Sequence, residues 1–412
     1  MSASPVAALP VGPVAALPVG PVGPAGLLPP LAAGLLAACV GFASSFAVIL
    51  KGLAAVGATP AQAASGLMAV SIAMGIGGIW LSLRSRMPIS VAWSTPGAAL
   101  LASTGAIEGG FPAAVGAFLA TGLLIVAAGL FRPLGRAVAA IPAPLANAML
   151  AGVLLSLCLA PVRAVAQFPA MGLAIVVTWA VVARLNRLLA VPAAVVVTAV
   201  LVLATTTLPP GSAAALWPAP VWVTPVFAPA TLLGIALPLF LVTMASQNIP
   251  GMAVLNAHGF RPDPGPLFTR TGLLTLLCAP FGGHAVNLAA ITAAICAGPE
   301  AHPEPARRWL AVVVAGAGYI AFGLLAGGAT VLIAAAPPVL IEAVAGLALL
   351  GAFGAALMGA VADPARREAA VVTFLVSASG LTIWGIGGAF WGLLAGGAIL
   401  MITRSGRQGL RP

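Results

Sequence analysis

Residues 279–297 read Ala279-Pro-Phe-Gly-Gly-His-Ala-Val-Asn-Leu-Ala-Ala-Ile-Thr-Ala-Ala-Ile-Cys-Ala297, with apolar sequence on both sides. The run 283–297 is too short to cross a hydrocarbon core of ~30 Å at ~1.5 Å per residue. It opens on Gly282-Gly283-His284 and carries Asn287. Such a break frees backbone N–H and C=O groups, which is tolerable at membrane depth only inside protein or against a wet cavity. A half-helix starting there aims its N-terminal amides and positive dipole end at that cavity, a ready anion site. A second run, 89–104, is nearly as short and holds Ser90-Val-Ala-Trp93-Ser94-Thr95-Pro96-Gly97. A third polar cluster, Ala245-Ser246-Gln247-Asn248-Ile-Pro250-Gly251, interrupts the longer run 230–256.

Composition sets the class around these breaks. Of 412 residues 61% are hydrophobic and 6% charged, with a mean hydropathy of +1.16; soluble domains carry about 25% charged residues. So few charges cannot cover a water-facing surface, which excludes a soluble enzyme, a nucleic-acid binder and a disordered chain. A polytopic membrane protein remains. The net charge of +10 sits at span ends rather than in one patch, so it does not point to nucleic acid. Sixteen of the 17 cations are Arg and one is Lys51; with the abundance of Ala, Gly and Pro this reads as the codon bias of a GC-rich genome. Cys39, Cys158, Cys278 and Cys296 lie in or at the ends of apolar runs without a CxxC pair, predicting neither a disulfide framework nor a metal site.

Residues 1–26 form a Pro-rich tail in which PVAALPVG occurs at 5–12 and 13–20; proline at this density blocks a helix, so a mobile tail is expected. Beyond it the apolar runs 31–53, 63–83, 89–104, 111–131, 138–160, 169–184, 188–207, 230–256, 266–280, 283–297, 308–334, 337–361, 369–386 and 388–403 predict an all-α fold of fourteen spans. Breaks after even-numbered spans carry Arg84, Arg86, Arg132, Arg136, Arg184, Arg187, Arg261, Arg307, Arg308, Arg366 and Arg367, whereas odd breaks hold little beyond Arg163 and Glu108. Positive loops face the cytoplasm, so both termini are expected there. A shift of 202 residues sets Ala43-Ser44 on Ala245-Ser246 and Pro60 on Pro262, and a shift of 194 sets Pro144 and Gly152 on Pro338 and Gly346. Both pair span n with span n+7, and because seven is odd the halves would be inverted. Inverted repeats with broken helices at the midplane belong to secondary transporters.

Few residues can carry chemistry. Asp263, Glu300, Glu304, Asp363 and Glu368 fall in loops beside Arg or Pro, and Glu108 in a Gly-Gly loop. Glu342 is the one acid placed to lie within a span, a functional position by default. Its alternative is a span end just after Pro337-Pro338, with the carboxylate at the interface or capping the helix start. His284, directly after the glycine pair, can change charge near physiological pH; it is either structural, a carboxylate ligand, or the carrier of a coupled proton. GxSG and HExxH motifs, aspartate pairs within spans and Arg-repeat helices are absent, so no intramembrane enzyme or voltage sensor is supported.

Three stretches, PISVAWSTPGAALLA (88–102), ASQNIPGMAVLNAHGFRP (245–262) and APFGGHAVNLAAITAAICAGPEAHPEPARRW (279–309), resemble the benzoate:proton symporter (BenE) family. The likeness covers all but the first ~25 residues. It implies a seven-plus-seven inverted-repeat fold shared with nucleobase permeases and anion transporters. Spans 1–4 and 8–11 (27–131 and 228–334) would form a core domain, and spans 5–7 and 12–14 (132–208 and 335–404) a gate domain. Substrate would lie between the ends of spans 3 and 10, facing span 8. Nucleobase permeases place acids on spans 8 and 10, where this chain offers Ser246, Gln247, Asn248 and His284, a departure suited to an anion.

The resulting expectation is import of benzoate or a similar aromatic carboxylate with a proton, without a cofactor or metal, in the bacterial inner membrane. The carboxylate is expected between the amides at Thr95–Gly97 and those at Gly283–His284, aided by the Gln247 and Asn248 side chains, with Ser94, Pro96, Ser246, Gly282 and Asn287 also lining the site. The ring is expected on Phe46, Trp93 and Phe281, and the proton on His284 or Glu342. The fold's relatives imply a homodimer through the gate domains. Another small anion, a nucleobase and a passive channel are the alternatives.

Overall fold

The computed structural model describes residues 24–131, 133, 142–206, 216–384 and 386–408. With so few charged side chains to hold water, backbone groups must pair internally, and helices dominate. Among the described residues seven helices are long and apolar enough to cross a membrane: Leu27–Ala55, Pro60–Ser85, Gly110–Leu130, Ala143–Gln167, Pro229–Ala257, Pro305–Leu324 and Pro338–Val361. Shorter apolar helices cover Pro169–Leu185, Ala190–Thr205 and Gly388–Ile402.

In chain order the elements are α1 (Pro24–Ala43), α2 (Phe46–Ala55), α3 (Pro60–Ser85), β1 (Val91–Trp93), α4 (Thr95–Thr104), α5 (Gly110–Leu130), α6 (Ala143–Cys158), α7 (Ala160–Gln167), α8 (Pro169–Leu185) and α9 (Ala190–Thr205). The second half holds α10 (Pro229–Ala257), α11 (Pro264–Cys278), β2 (Val286–Leu288), α12 (Ile291–Ala297), α13 (Trp309–Leu324), α14 (Ala326–Ala335), α15 (Pro338–Val361), α16 (Arg367–Ala378), β3 (Thr382–Ile383), β4 (Ile386–Gly387) and α17 (Gly388–Gln408). Local chemistry sets several starts. Thr59-Pro-Ala-Gln62 forms a capping box ahead of α3, with proline in its first turn.

The helices pack in two groups. In one, α1 and α3 lie on α13, α5 lies on α11, and α2 lies on α4. In the other, α6 lies on α15 and α16, α16 on α17, α15 on α7, and α8 on α9. The groups touch mainly where α4 meets α6, α2 meets α15 and α1 meets α9.

Three expectations need correction. Most of the Pro-rich tail, 1–23, lies outside the described residues, but Pro24 already opens α1, with Pro29 and Pro30 inside it. So near the helix start, those prolines deprive only the carbonyls of residues 25 and 26 of donors. The fold is not purely helical: β1 pairs with β2 and β3 with β4, both antiparallel. Finally, the half-helix expected to start at Gly283-His284 starts at Ile291, after an extended segment.

Candidate functional site

The two short runs meet as strands. Val91 pairs with Leu288, Ala92 with Asn287 and Trp93 with Val286. Extended backbone at this depth needs a partner for every donor and acceptor, and each strand supplies the other. The pairing continues outward: the Ser94 amide donates to the Ala285 carbonyl and the Ala289 amide to the Ser90 carbonyl, both at 2.9 Å. Buried Ser90 and Thr292 hydroxyls meet at 3.0 Å. Side chains secure the far edge of β2, where Val286 N donates to Thr275 Oγ1 and Leu288 N to Asn248 Oδ1, each at 2.9 Å.

Ser94 is the junction of the site. Its hydroxyl caps α4 by accepting from Gly97 N at 3.1 Å, and it also accepts from Thr243 Oγ1 at 2.9 Å. Its carbonyl accepts from His284 Nε2 at 2.9 Å. The expected α4 N-terminus is therefore present, but the Gly97 amide is taken and Pro96 has none, so the amides form a smaller donor set than expected. Gly97 admits no side chain, because a Cβ there would run into Leu239 and Ser94.

Gly282-Gly283 has the opposite role from the one expected. Gly282, at φ +88°, donates to Ala279 O at 2.8 Å, and Gly283 N donates to Cys278 O at 3.0 Å. This 5→2, 6→1 pattern is the Schellman stop of a helix C-terminus, with Gly282 in the left-handed position. The glycine pair ends the helical run of α11 instead of starting the next helix, and Gly283 offers no free amide. His284 follows with no exposed surface, its ring edge-on to Phe118. Because the Ser94 carbonyl can only accept, His284 Nε2 carries the proton, and Nδ1 is left bare, with no hydrogen-bond partner among the described residues. Asn287 Oδ1, equally buried, also lacks one among the described residues.

Helix α10 crosses this junction with two π-helical turns, Leu232–Ala236 and Met244–Asn248. Each is followed by a proline, Pro238 or Pro250. Proline removes the N–H owed to the carbonyl four residues back and clashes with it; those carbonyls belong to Gly234 and Ser246, at the centre of each π turn. The second π turn coincides with the polar cluster found in sequence, and such bulges recur at functional sites. There Ser246 Oγ donates to Val242 O, and Asn248 is consumed by Leu288 N and Met244 Sδ. Gln247 is half-buried and makes no side-chain hydrogen bond among the described residues; neither does half-buried Thr95.

Aromatic rings gather at the α1–α2 break. Phe42 stacks on Phe46 at 5.6 Å and lies 5.5 Å from Trp93 and 5.0 Å from Phe322 between centroids. Trp93 Nε1 donates to Ser45 Oγ at 2.7 Å, fixing the indole. Phe46 and Trp93 are thus brought together as expected, whereas Phe281 packs edge-on against Trp222 instead. Sequence reading missed Phe42, Phe322, Ser45 and Thr243, although Ser44-Ser45 within an apolar run does signal a break. Glu342, near the start of α15, is half-buried and paired with Lys51 Nζ at 2.5 Å.

Residues 27–402 match the family described as benzoate membrane transport protein, BenE. The chain belongs to that family. Among curated relatives, this BenE chain is 44% identical to "Inner membrane protein YdcO" of Escherichia coli over 89% of its own length and 94% of the relative's. It is 30% identical to the "Benzoate membrane transport protein" of Acinetobacter baylyi, over 81% and 84% of the two chains. Among solved structures it resembles the transmembrane domain of the cyanobacterial bicarbonate transporter BicA, with TM-score 0.56 and 15% identity over 93% of this chain and 97% of that one. SLC26A9 gives TM-score 0.64 and 13% identity over 94% of this chain and 66% of that one. At these identities the likeness establishes the fold. The BenE chain is a multi-pass membrane transporter on that anion-transporter scaffold.

Proposed function

We propose that the protein imports benzoate or a related aromatic carboxylate together with a proton across the bacterial cytoplasmic membrane. One observation carries this reading: half-buried Thr95, whose hydroxyl has no hydrogen-bond partner among the described residues, lies two residues after Trp93 of the Phe42–Phe46–Trp93–Phe322 cluster, and half-buried Gln247, likewise unpaired there, adjoins Asn248, whose side chain bonds β2. Trp93 ends β1 and Thr95 opens α4, with Ser94 between them as the helix cap, so ring and hydroxyl stand at one strand-to-helix junction. The carboxylate takes the two donors and the ring takes the aromatic surface, where offset or edge contacts are favourable. Ser94, Pro96, Gly97, Ser246, Asn248, Gly282, Gly283 and Asn287 hold the frame, and Phe281 lies at its outer edge. The name of the Acinetobacter relative supports benzoate. An acid at Gln247 or His284 would repel the anion, and neither position has one.

Transport proceeds by alternating access between the two packing groups, core (27–131 and 228–334) and gate (132–208 and 335–404). Fourteen spans in two inverted repeats, both termini cytoplasmic, fit the Arg-rich loops and the meeting of two half-length segments; the gate group forms a homodimer interface. His284 Nδ1 takes the coupled proton, since the Glu342 carboxylate is committed to Lys51. A benzoate carboxyl with a pKa near ~4 is ionised at neutral pH, so one proton per anion makes the cycle electroneutral. Titration calorimetry of the purified protein tests the site: saturable heat with benzoate and none with uracil is expected. Binding of uracil in place of benzoate would overturn it.

A further inference from the structure

Lys51 is the single lysine of the chain, and Glu342 is the only acid in α15. They come from different packing groups. Lys51 lies on α2, which packs on α4 and α3; Glu342 lies on α15, which packs on α6, α7 and α16. Apart from this pair, α2 and α15 carry no charged side chain. The two half-buried groups meet in an ion pair across one of the few places where the groups touch.

From the geometry we infer that Lys51–Glu342 is a latch between core and gate that opens and recloses in each transport cycle; this rests on the alternating-access reading above. Two features suit it to a reversible role. An ionised pair at the bilayer centre would be locked together by the cost of exposing either charge to hydrocarbon. Lys51, however, is four residues from the end of α2, and Glu342 is the fifth residue of α15. At ~1.5 Å per residue each head group is within ~6–8 Å of its helix end, so each can reach interfacial water when the helices part. The pair also bridges bodies that otherwise share a continuous apolar core, so it supplies a directional, charged closed position that apolar contact alone does not.

The test uses protein whose four native cysteines are replaced by serine or alanine. Spin labels on Ala54→Cys and Gly351→Cys, both at exposed positions, report the α2–α15 distance without touching the pair. One narrow distance is expected with the pair intact, a second longer population with Lys51→Met or Glu342→Gln, and return to one distance with the exchange Lys51→Glu/Glu342→Lys. Identical distributions in all four proteins would overturn the latch, whether or not benzoate is the substrate. In a separate arm, Lys51→Cys/Glu342→Cys is joined by a short thiol-specific cross-linker cleavable by reductant. Uptake should fall at least tenfold and return on reduction, with benzoate binding retained throughout. Uptake that persists in the joined protein would also overturn the latch, whereas a parent that binds no benzoate defeats the substrate reading and leaves the distance measurement to decide the latch.

Discussion

Thr95 and Gln247 keep hydrogen-bonding capacity that no described residue uses. A hydrogen bond to a charged group is worth about 1.5–3 kcal/mol, so Thr95→Val and Gln247→Ala should each weaken benzoate binding by roughly tenfold or more. Calorimetry checks this, and melting temperatures should stay within a few degrees because neither side chain supports another. His284 differs. His284→Gln keeps an amide able to donate to the Ser94 carbonyl but cannot take a proton, so benzoate should equilibrate across the membrane without accumulating against its gradient. Full gradient-driven accumulation in that variant would contradict the assignment. Most of these residues were legible in sequence because polar types are conspicuous among so much Ala, Val and Leu. Their states were not legible: that Asn248 is consumed by Leu288 N while Gln247 is free depends on the register of the π turn. The Lys51–Glu342 partnership joins positions 291 residues apart, and no local pattern announces it.

At the element scale, proline and glycine decide more than hydrophobic periodicity. Pro250 imposes the π turn that presents Gln247, so Pro250→Ala should let α10 relax to regular helix. Removing an interior proline favours a helix by up to ~3 kcal/mol. The expected outcome is therefore a protein as stable as the parent or more so, with weaker benzoate binding. A variant with unchanged affinity would show that the π turn does not position the site. Gly282→Ala acts in the other direction. A Cβ at φ +88° is strained and would sit 3.1 Å from Phe111 Cζ, and left-handed backbone in a non-glycine residue costs about 1–3 kcal/mol. A clear drop in melting temperature is expected. The existence and approximate limits of the long helices followed from apolar runs and their breaks, whereas the runs 89–104, 283–297 and 369–386 each hold a strand as well as a helix. The direction of the Gly-Gly break did not, because the same pair can stop one helix or start another, and only the 6→1 bond from Gly283 to Cys278 distinguishes them. The strands were equally hidden, since three residues carry no readable alternation and their pairing is set by a segment 195 residues away.

Across the whole molecule, the site joins backbone from both halves of the chain, while the aromatic cluster and the latch draw on α1, α2, α13 and α15. Such a site can be presented to one side of the membrane at a time if the two packing groups move as bodies, which ties substrate, proton and latch to one cycle. With one proton per anion, membrane potential contributes nothing, and each unit of pH gradient supports about tenfold accumulation. Benzoate uptake into proteoliposomes with an alkaline interior and the potential clamped at zero measures this directly, against protein-free liposomes that report leakage of the neutral acid. Proton-coupled symport predicts saturable, transient accumulation above equilibrium that grows with the pH gradient and is unchanged when a potential of either sign is imposed. Uptake that only equilibrates, or that follows the potential and ignores the pH gradient, would contradict it.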